Sequence, residues 1–227
     1  MRHLYLTVAM FGALASCGGP AKEEAKKAEP APAVAEVKKA PDARPAIAAF
    51  GDSLTAGFGL EPGLSYPDFL QKKLDAAGYS YRVVNEGISG DTTSGGVARV
   101  DGVLAYQPEI VILELGANDG LRGIPVAETR ENLDQILTRL KARGAKVLLA
   151  GITLPRNYGE QYIKDFDRIY LELARKHNVQ RLPFLLEGVA LNPKLMQRDA
   201  LHPTAEGCEI VAGNVLAALK PLLKAKQ

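Results

Sequence analysis

A chain of 227 residues, 47% hydrophobic and with a net charge of +2, is long enough for one globular domain with segments to spare. So even a charge balance argues against a nucleic-acid partner and against a strongly basic membrane patch. With cysteines only at positions 17 and 208, a scaffold stapled by disulfides is excluded as well.

The chain opens with Arg2 and His3 and an apolar run over 4–14, which is too short to span a bilayer. The run ends in Leu14-Ala15-Ser16-Cys17, followed by Gly18 and Gly19. Small residues around a cysteine at that place resemble a bacterial lipoprotein signal. Residues 1–16 are therefore expected to be removed and Cys17 to carry lipid that holds the chain on a membrane, facing the periplasm. Gly18, rather than aspartate, after the cysteine favours the outer membrane. Residues 17–45 are rich in Ala, Lys, Glu and Pro and poor in large apolar side chains. Such a stretch cannot bury enough surface to offset its ordering entropy, and it reads as a flexible tether. With Cys17 lipidated, Cys208 has no partner for a disulfide; it falls in a predicted helix and reads as a small buried hydrophobe.

The domain proper spans 46–224. Ala46-Ile47-Ala48-Ala49-Phe50, bounded by Pro45 and Gly51, predicts a strand. Ser53 follows just past its C-terminal end, the edge of an open α/β sheet at which ligands bind. Gly-Asp-Ser is also common turn and cap chemistry, so these residues alone do not make Ser53 a nucleophile. The strand-to-helix elbow G-x-S-x-G is absent, because Thr55 stands at the second glycine position. Periodicity then predicts a helix over 66–77, a strand over 81–85 and a nearly all-apolar strand over 110–115. A helix over 126–142, a strand over 146–150, a helix over 161–177, a short strand over 179–183 and a closing helix over 204–223 complete the pattern. Apolar strands alternating with amphipathic helices argue for an α/β fold with a parallel sheet covered on both faces.

Polar or glycine-rich loops follow the strands: Gly87-Ile88-Ser89-Gly90-Asp91-Thr92-Thr93, Gly116-Ala117-Asn118-Asp119-Gly120 and Leu154-Pro155-Arg156-Asn157-Tyr158-Gly159. A parallel sheet gathers all of them at one edge, beside Ser53. A nucleotide reading of the glycines finds little support. Gly57, Gly59 and Gly63 miss the G-x-G-x-x-G spacing by one, and no G-K-[ST] phosphate loop is present.

A serine nucleophile needs a general base, usually histidine. His177 ends a predicted helix behind Arg175 and Lys176, where a cation suits the helix dipole, and that is a structural role. His202 lies in a loop before the last helix with Asp199 three residues upstream. In one tight loop that spacing lets the carboxylate accept the proton of one imidazole nitrogen and leave the other facing Ser53. Thr204 is better placed than Asp199 to cap the following helix. Candidate oxyanion donors are the backbone amides of Ser53 and Gly90 and the side-chain amide of Asn118. Each of these residues, taken singly, is equally at home in an ordinary turn.

Taken together, Gly51-Asp52-Ser53-Leu54, Gly90, Gly116-x-Asn118-Asp119 and Asp199-x-x-His202 resemble the four blocks of the SGNH (GDSL) hydrolase family. Leu115-Gly116-Ala117-Asn118-Asp119-Gly120-Leu121-Arg122-Gly123 and Met196-Gln197-Arg198-Asp199-Ala200-Leu201-His202-Pro203 carry the likeness toward its bacterial thioesterase I, lysophospholipase L1 and arylesterase group. The resemblance implies a flavodoxin-like three-layer α/β/α sandwich with a five-stranded parallel sheet. It further implies an acyl-enzyme mechanism with Ser53 as nucleophile and Asp199–His202 as its base, with no metal or cofactor. The substrate would be a small ester, thioester or lysophospholipid. The loop over 118–125 would serve as a mobile acyl-chain cover through Leu121 and Ile124, with Leu154 and Tyr158 on the opposite wall. A monomer is expected. Two other readings stay open: a carbohydrate O-acetylesterase with a short acyl pocket, and a lipoprotein that binds acyl chains or carbohydrate without turnover.

Overall fold

The computed structural model describes residues 42–224. The expected signal over 1–16, Cys17 and the tether as far as residue 41 lie outside the described residues. The strands are β1 (Ala46–Gly51), β2 (Arg82–Gly87), β3 (Ile110–Glu114), β4 (Lys146–Ala150) and β5 (Gln180–Leu182). They form one parallel sheet in the order β2-β1-β3-β4-β5. Every residue of β1 and β3 is buried, which is why both read as unbroken apolar runs rather than alternating ones.

The longer helices are α2 (Tyr66–Ala76), α3 (Thr93–Ala105), α5 (Val126–Ala142), α6 (Glu160–His177) and α7 (Ala205–Leu219); two short ones are α1 (Ser53–Ala56) and α4 (Ala117–Leu121). α2 packs beside α7, while α3 packs on α5 and α5 on α6. That division follows from right-handed crossovers. The chain moves one way from β1 to β2 and the other way thereafter, so α2 covers one face and α3, α5 and α6 cover the other. On α5, Leu133, Ile136, Leu137 and Leu140 are fully buried, each stabilising the fold by roughly 1.5–3 kcal/mol.

The predicted strands and longer helices are present, with ends shifted by a few residues. α7 begins after Thr204, whose hydroxyl accepts from the Gly207 amide, and ends at Leu219 rather than 223. Helix α3 was not predicted from periodicity. Its glycines at 95, 96 and 102 lower helix propensity, yet a cap at Thr92 starts it, and Gly96 lies where a methyl would strike the Leu115 and Ile136 side chains. The glycine is there to let the helix lie close on the sheet.

His177 ends α6, on the edge of the sheet opposite to Ser53. Its Nε2 lies 2.6 Å from Asp134 Oδ1 of α5. Burial works to raise the Asp134 carboxyl, but hydrogen bonds from Lys176 and His177 outweigh it and hold it below the ordinary range. Cys208 is buried in α7, and burial pushes its thiol up to about 11, so it stays protonated and inert.

Candidate active site

The sheet order reverses between β1 and β3, and open α/β sheets bind ligands in the crevice at such a switch point. β1 stops at Gly51. Asp52 caps α1, its Oδ1 accepting from the Leu54 amide at 3.0 Å, and Ser53 is the first helical residue. β3 stops at Glu114, and α4 presents Asn118 from the other side of the crevice.

The His202 loop is shaped by its own hydrogen bonds. Gln197 N donates to His202 O at 2.7 Å, and Ala200, in the left-handed region at φ 57°, donates back to Gln197 O at 3.0 Å. Asp199 Oδ1 accepts from the amides of Leu201 and His202 at 2.9 and 3.0 Å. Its other oxygen lies 2.6 Å from His202 Nδ1, and His202 Nε2 lies 2.8 Å from Ser53 Oγ. Ser53, His202 and Asp199 thus form a continuous chain of hydrogen bonds. Partial burial works to raise the Asp199 carboxyl, but the bonds from the His202 ring and the Leu201 and His202 amides prevail and hold it below the ordinary range. It is therefore an anion when the imidazole needs one. That fixes the tautomer: Nδ1 carries the proton and donates to Asp199, and Nε2 accepts from Ser53.

Gln197 was not picked out as a site residue. Its Nε2 donates to Phe58 O at 2.7 Å and to Pro203 O at 2.9 Å, tying the histidine loop to the serine loop. Phe58 completes the link, its ring centroid 4.7 Å from that of His202.

Ser53, Gly90 and Asn118 line one cavity of about 1030 Å³. Gly90 has φ +81°, a conformation that favours glycine. Neither its amide nor that of Ser53 has an acceptor among the described residues. Asn118 Nδ2 donates to Asp91 O at 2.8 Å and to Asp52 Oδ2 at 3.1 Å. Donation to an oxyanion would exchange or share one of those acceptors. The loop that carries Gly90 is pinned by Arg99, which pairs with Asp91 at 2.7 Å and donates to the carbonyls of Gly51 and Glu86. Asp119 joins α4 to α3, accepting from the Thr93 amide at 2.9 Å and from its hydroxyl.

The cavity wall is largely apolar and includes Leu121, Leu154, Phe184, Leu186 and Met196. Gly120 permits this, since a methyl there would strike Leu154. Of the four residues expected to contact substrate, Leu121 and Leu154 are on the wall; Ile124 and Tyr158, contrary to expectation, do not line it. Tyr158 OH is drawn to the Leu121 carbonyl at 2.9 Å, and the Ile124 carbonyl accepts from Tyr162 OH at 2.8 Å. These two bonds fasten the 118–125 segment to Tyr158 and Tyr162. Arg122 fastens it a third time, donating to Gly90 O at 2.9 Å.

The GDSL-like Lipase/Acylhydrolase family profile matches residues 49–210. The chain is 46% identical to esterase TesA of Pseudomonas aeruginosa over 174 residues, which is 76% of this chain and 87% of the relative. It is 41% identical to thioesterase 1/protease 1/lysophospholipase L1 of Escherichia coli, over 76% of this chain and 82% of the relative. A crystal structure of TesA superposes with a TM-score of 0.76 at 45% identity, covering 78% of this chain and 99% of that one. A family profile that spans residues 49–210 and relatives more than 40% identical over most of their length show that the chain belongs to the GDSL-like lipase/acylhydrolase family.

Proposed function

We propose that this protein hydrolyses carboxylic esters and thioesters through an acyl-enzyme on Ser53. The observation that carries the reading is the 2.8 Å approach of His202 Nε2 to Ser53 Oγ, continued to Asp199 at 2.6 Å. Ser53 Oγ attacks the carbonyl carbon while its proton passes to Nε2. The carbonyl oxygen becomes an oxyanion facing the amides of Ser53 and Gly90 and the Asn118 side chain. The C–O or C–S bond then breaks, and Nε2 returns the proton to the leaving alcohol or thiol. Water, activated by the same imidazole, attacks the acyl-enzyme and regenerates Ser53.

The apolar wall favours an extended acyl chain over acetyl. Burial gains roughly 0.8 kcal/mol, about fourfold in kcat/KM, per CH₂. The expected result is a rise in kcat/KM from acetyl to medium-chain p-nitrophenyl esters. Leu121→Ala and Leu154→Ala should flatten the rise while acetyl-ester hydrolysis is nearly kept. A wild type that prefers acetyl esters would favour the O-acetylesterase reading, and one that binds esters without hydrolysing them would favour a binding protein.

The lipid anchor is a separate part of the proposal and rests on Leu14-Ala15-Ser16-Cys17 and the Pro-, Ala- and charge-rich stretch behind it. Lipid on Cys17 would hold the enzyme on the periplasmic side of the outer membrane. Fractionation should find the wild type with membranes and Cys17→Ser in the soluble fraction. An unchanged distribution would show that the signal is of another kind.

A further inference from the structure

Behind the candidate oxyanion donors lie two carboxyl groups that the proposed reaction does not use. Asp52 and Glu114 are both fully buried at the ends of adjacent strands, where Gly51 and Glu114 are register partners. Neither forms an ion pair with a cation among the described residues. Glu114 Oε2 accepts from the Asp52 amide at 3.2 Å and from Thr55 Oγ1 at 2.8 Å. Its other oxygen, Oε1, is buried without a hydrogen-bond partner among the described residues.

Two ionised carboxylates in contact in a dry site repel each other and lose hydration, so one keeps a proton. Burial, and then the charge of Asp52, push Glu114 well above the ordinary range. Burial also raises Asp52, but the Leu54 amide and a side-chain hydrogen bond from Glu114 oppose the rise. Glu114 is thus the acid and Asp52 the anion. Asp52 in turn reaches both sides of the crevice: Oδ1 accepts from Leu54 of the helix that starts with Ser53, and Oδ2 accepts from Asn118 Nδ2. The first glycine of the serine block makes room for the pair, since a methyl on Gly51 would collide with Thr55 Oγ1 and Glu114 Oε2.

We propose that Glu114 is a positioning residue, a hydrogen-bond donor to Asp52 that fixes Asp52 as the acceptor aiming Asn118 at the oxyanion. The inference rests on the hydrolase reading. It gives the glutamate at the end of β3 a role at a distance from the substrate. It also assigns the Asp52 contact of Asn118 to the permanent anchor, leaving the Asp91 contact as the one exchanged during the reaction.

The test uses the full chain. Glu114→Gln keeps a neutral donor and should retain kcat within about threefold. Glu114→Met removes the donor and should lower kcat by about tenfold or more with KM unchanged, a part of the 10²–10³ that an oxyanion donor contributes. The double variant Glu114→Met/Asn118→Ala should be no slower than Asn118→Ala, because both act through one amide. Independent, multiplying losses would overturn the proposal, as would a Gln variant as impaired as the Met variant. A readout independent of activity, and of whether the Met variant folds, is the infrared difference spectrum of wild type minus Glu114→Gln at neutral pH. It should contain the C=O stretch of a protonated carboxylic acid, and its absence would overturn the proposal. Full hydrolysis by Ser53→Ala, by contrast, would sink the hydrolase reading and leave that band in place.

Discussion

Ser53→Ala is expected to lower kcat for a p-nitrophenyl ester by on the order of 10⁴–10⁶, and His202→Ala by a similar factor. The two side chains are one device: Oγ is nucleophilic only while Nε2, at 2.8 Å, accepts its proton. Once either is gone the other has nothing to do, so the double variant should be little slower than either single one. His177→Ala is the control. That imidazole is engaged with Asp134 at the far edge of the sheet, so its loss should leave kcat nearly unchanged while lowering the melting temperature. Steady-state kinetics on the four proteins check this, and a doubly inactive variant far below both singles would contradict a shared proton path.

The next largest effect is expected at Asn118. Asn118→Ala removes one donor from the place where negative charge develops, and loss of one such donor lowers kcat by about 10²–10³, or roughly 2.7–4 kcal/mol. KM should change little, because the bond strengthens mainly as the carbonyl becomes tetrahedral. In the resting site the amide is held by Asp91 O and Asp52, so it is oriented before substrate arrives. A raised KM with unchanged kcat would instead make Asn118 a substrate-binding residue.

The parts of the site legible from sequence are those whose chemistry needs a particular residue at a particular spacing. Asp199 and His202 sit three apart in one loop, and that short range let their contact be expected without the fold. Ser53 and Asn118 could be placed because both follow strands of a parallel sheet, and the sheet order puts those strands side by side. The wall was harder. Leu121 and Leu154 line the cavity and Ile124 and Tyr158 do not, and which way a loop residue faces depends on contacts such as those of the Tyr158 and Tyr162 hydroxyls with carbonyls far away in the chain. Helix α3 was hidden because its glycines serve close packing at the expense of propensity. Gln197 and Glu114 were passed over for a different reason. Each acts through a contact distant in the chain, Phe58 for one and Thr55 and Asp52 for the other, and no local pattern announces such a partner.

Covalent acylation of Ser53 can be checked by trapping that nucleophile. Wild-type protein treated with diethyl p-nitrophenyl phosphate should gain a single diethylphosphoryl group by intact mass, located by peptide mapping on Ser53. Loss of esterase activity should run in parallel, and Ser53→Ala should stay unlabelled. Inactivation with the label on another residue, or continued ester hydrolysis by fully labelled protein, would contradict the account.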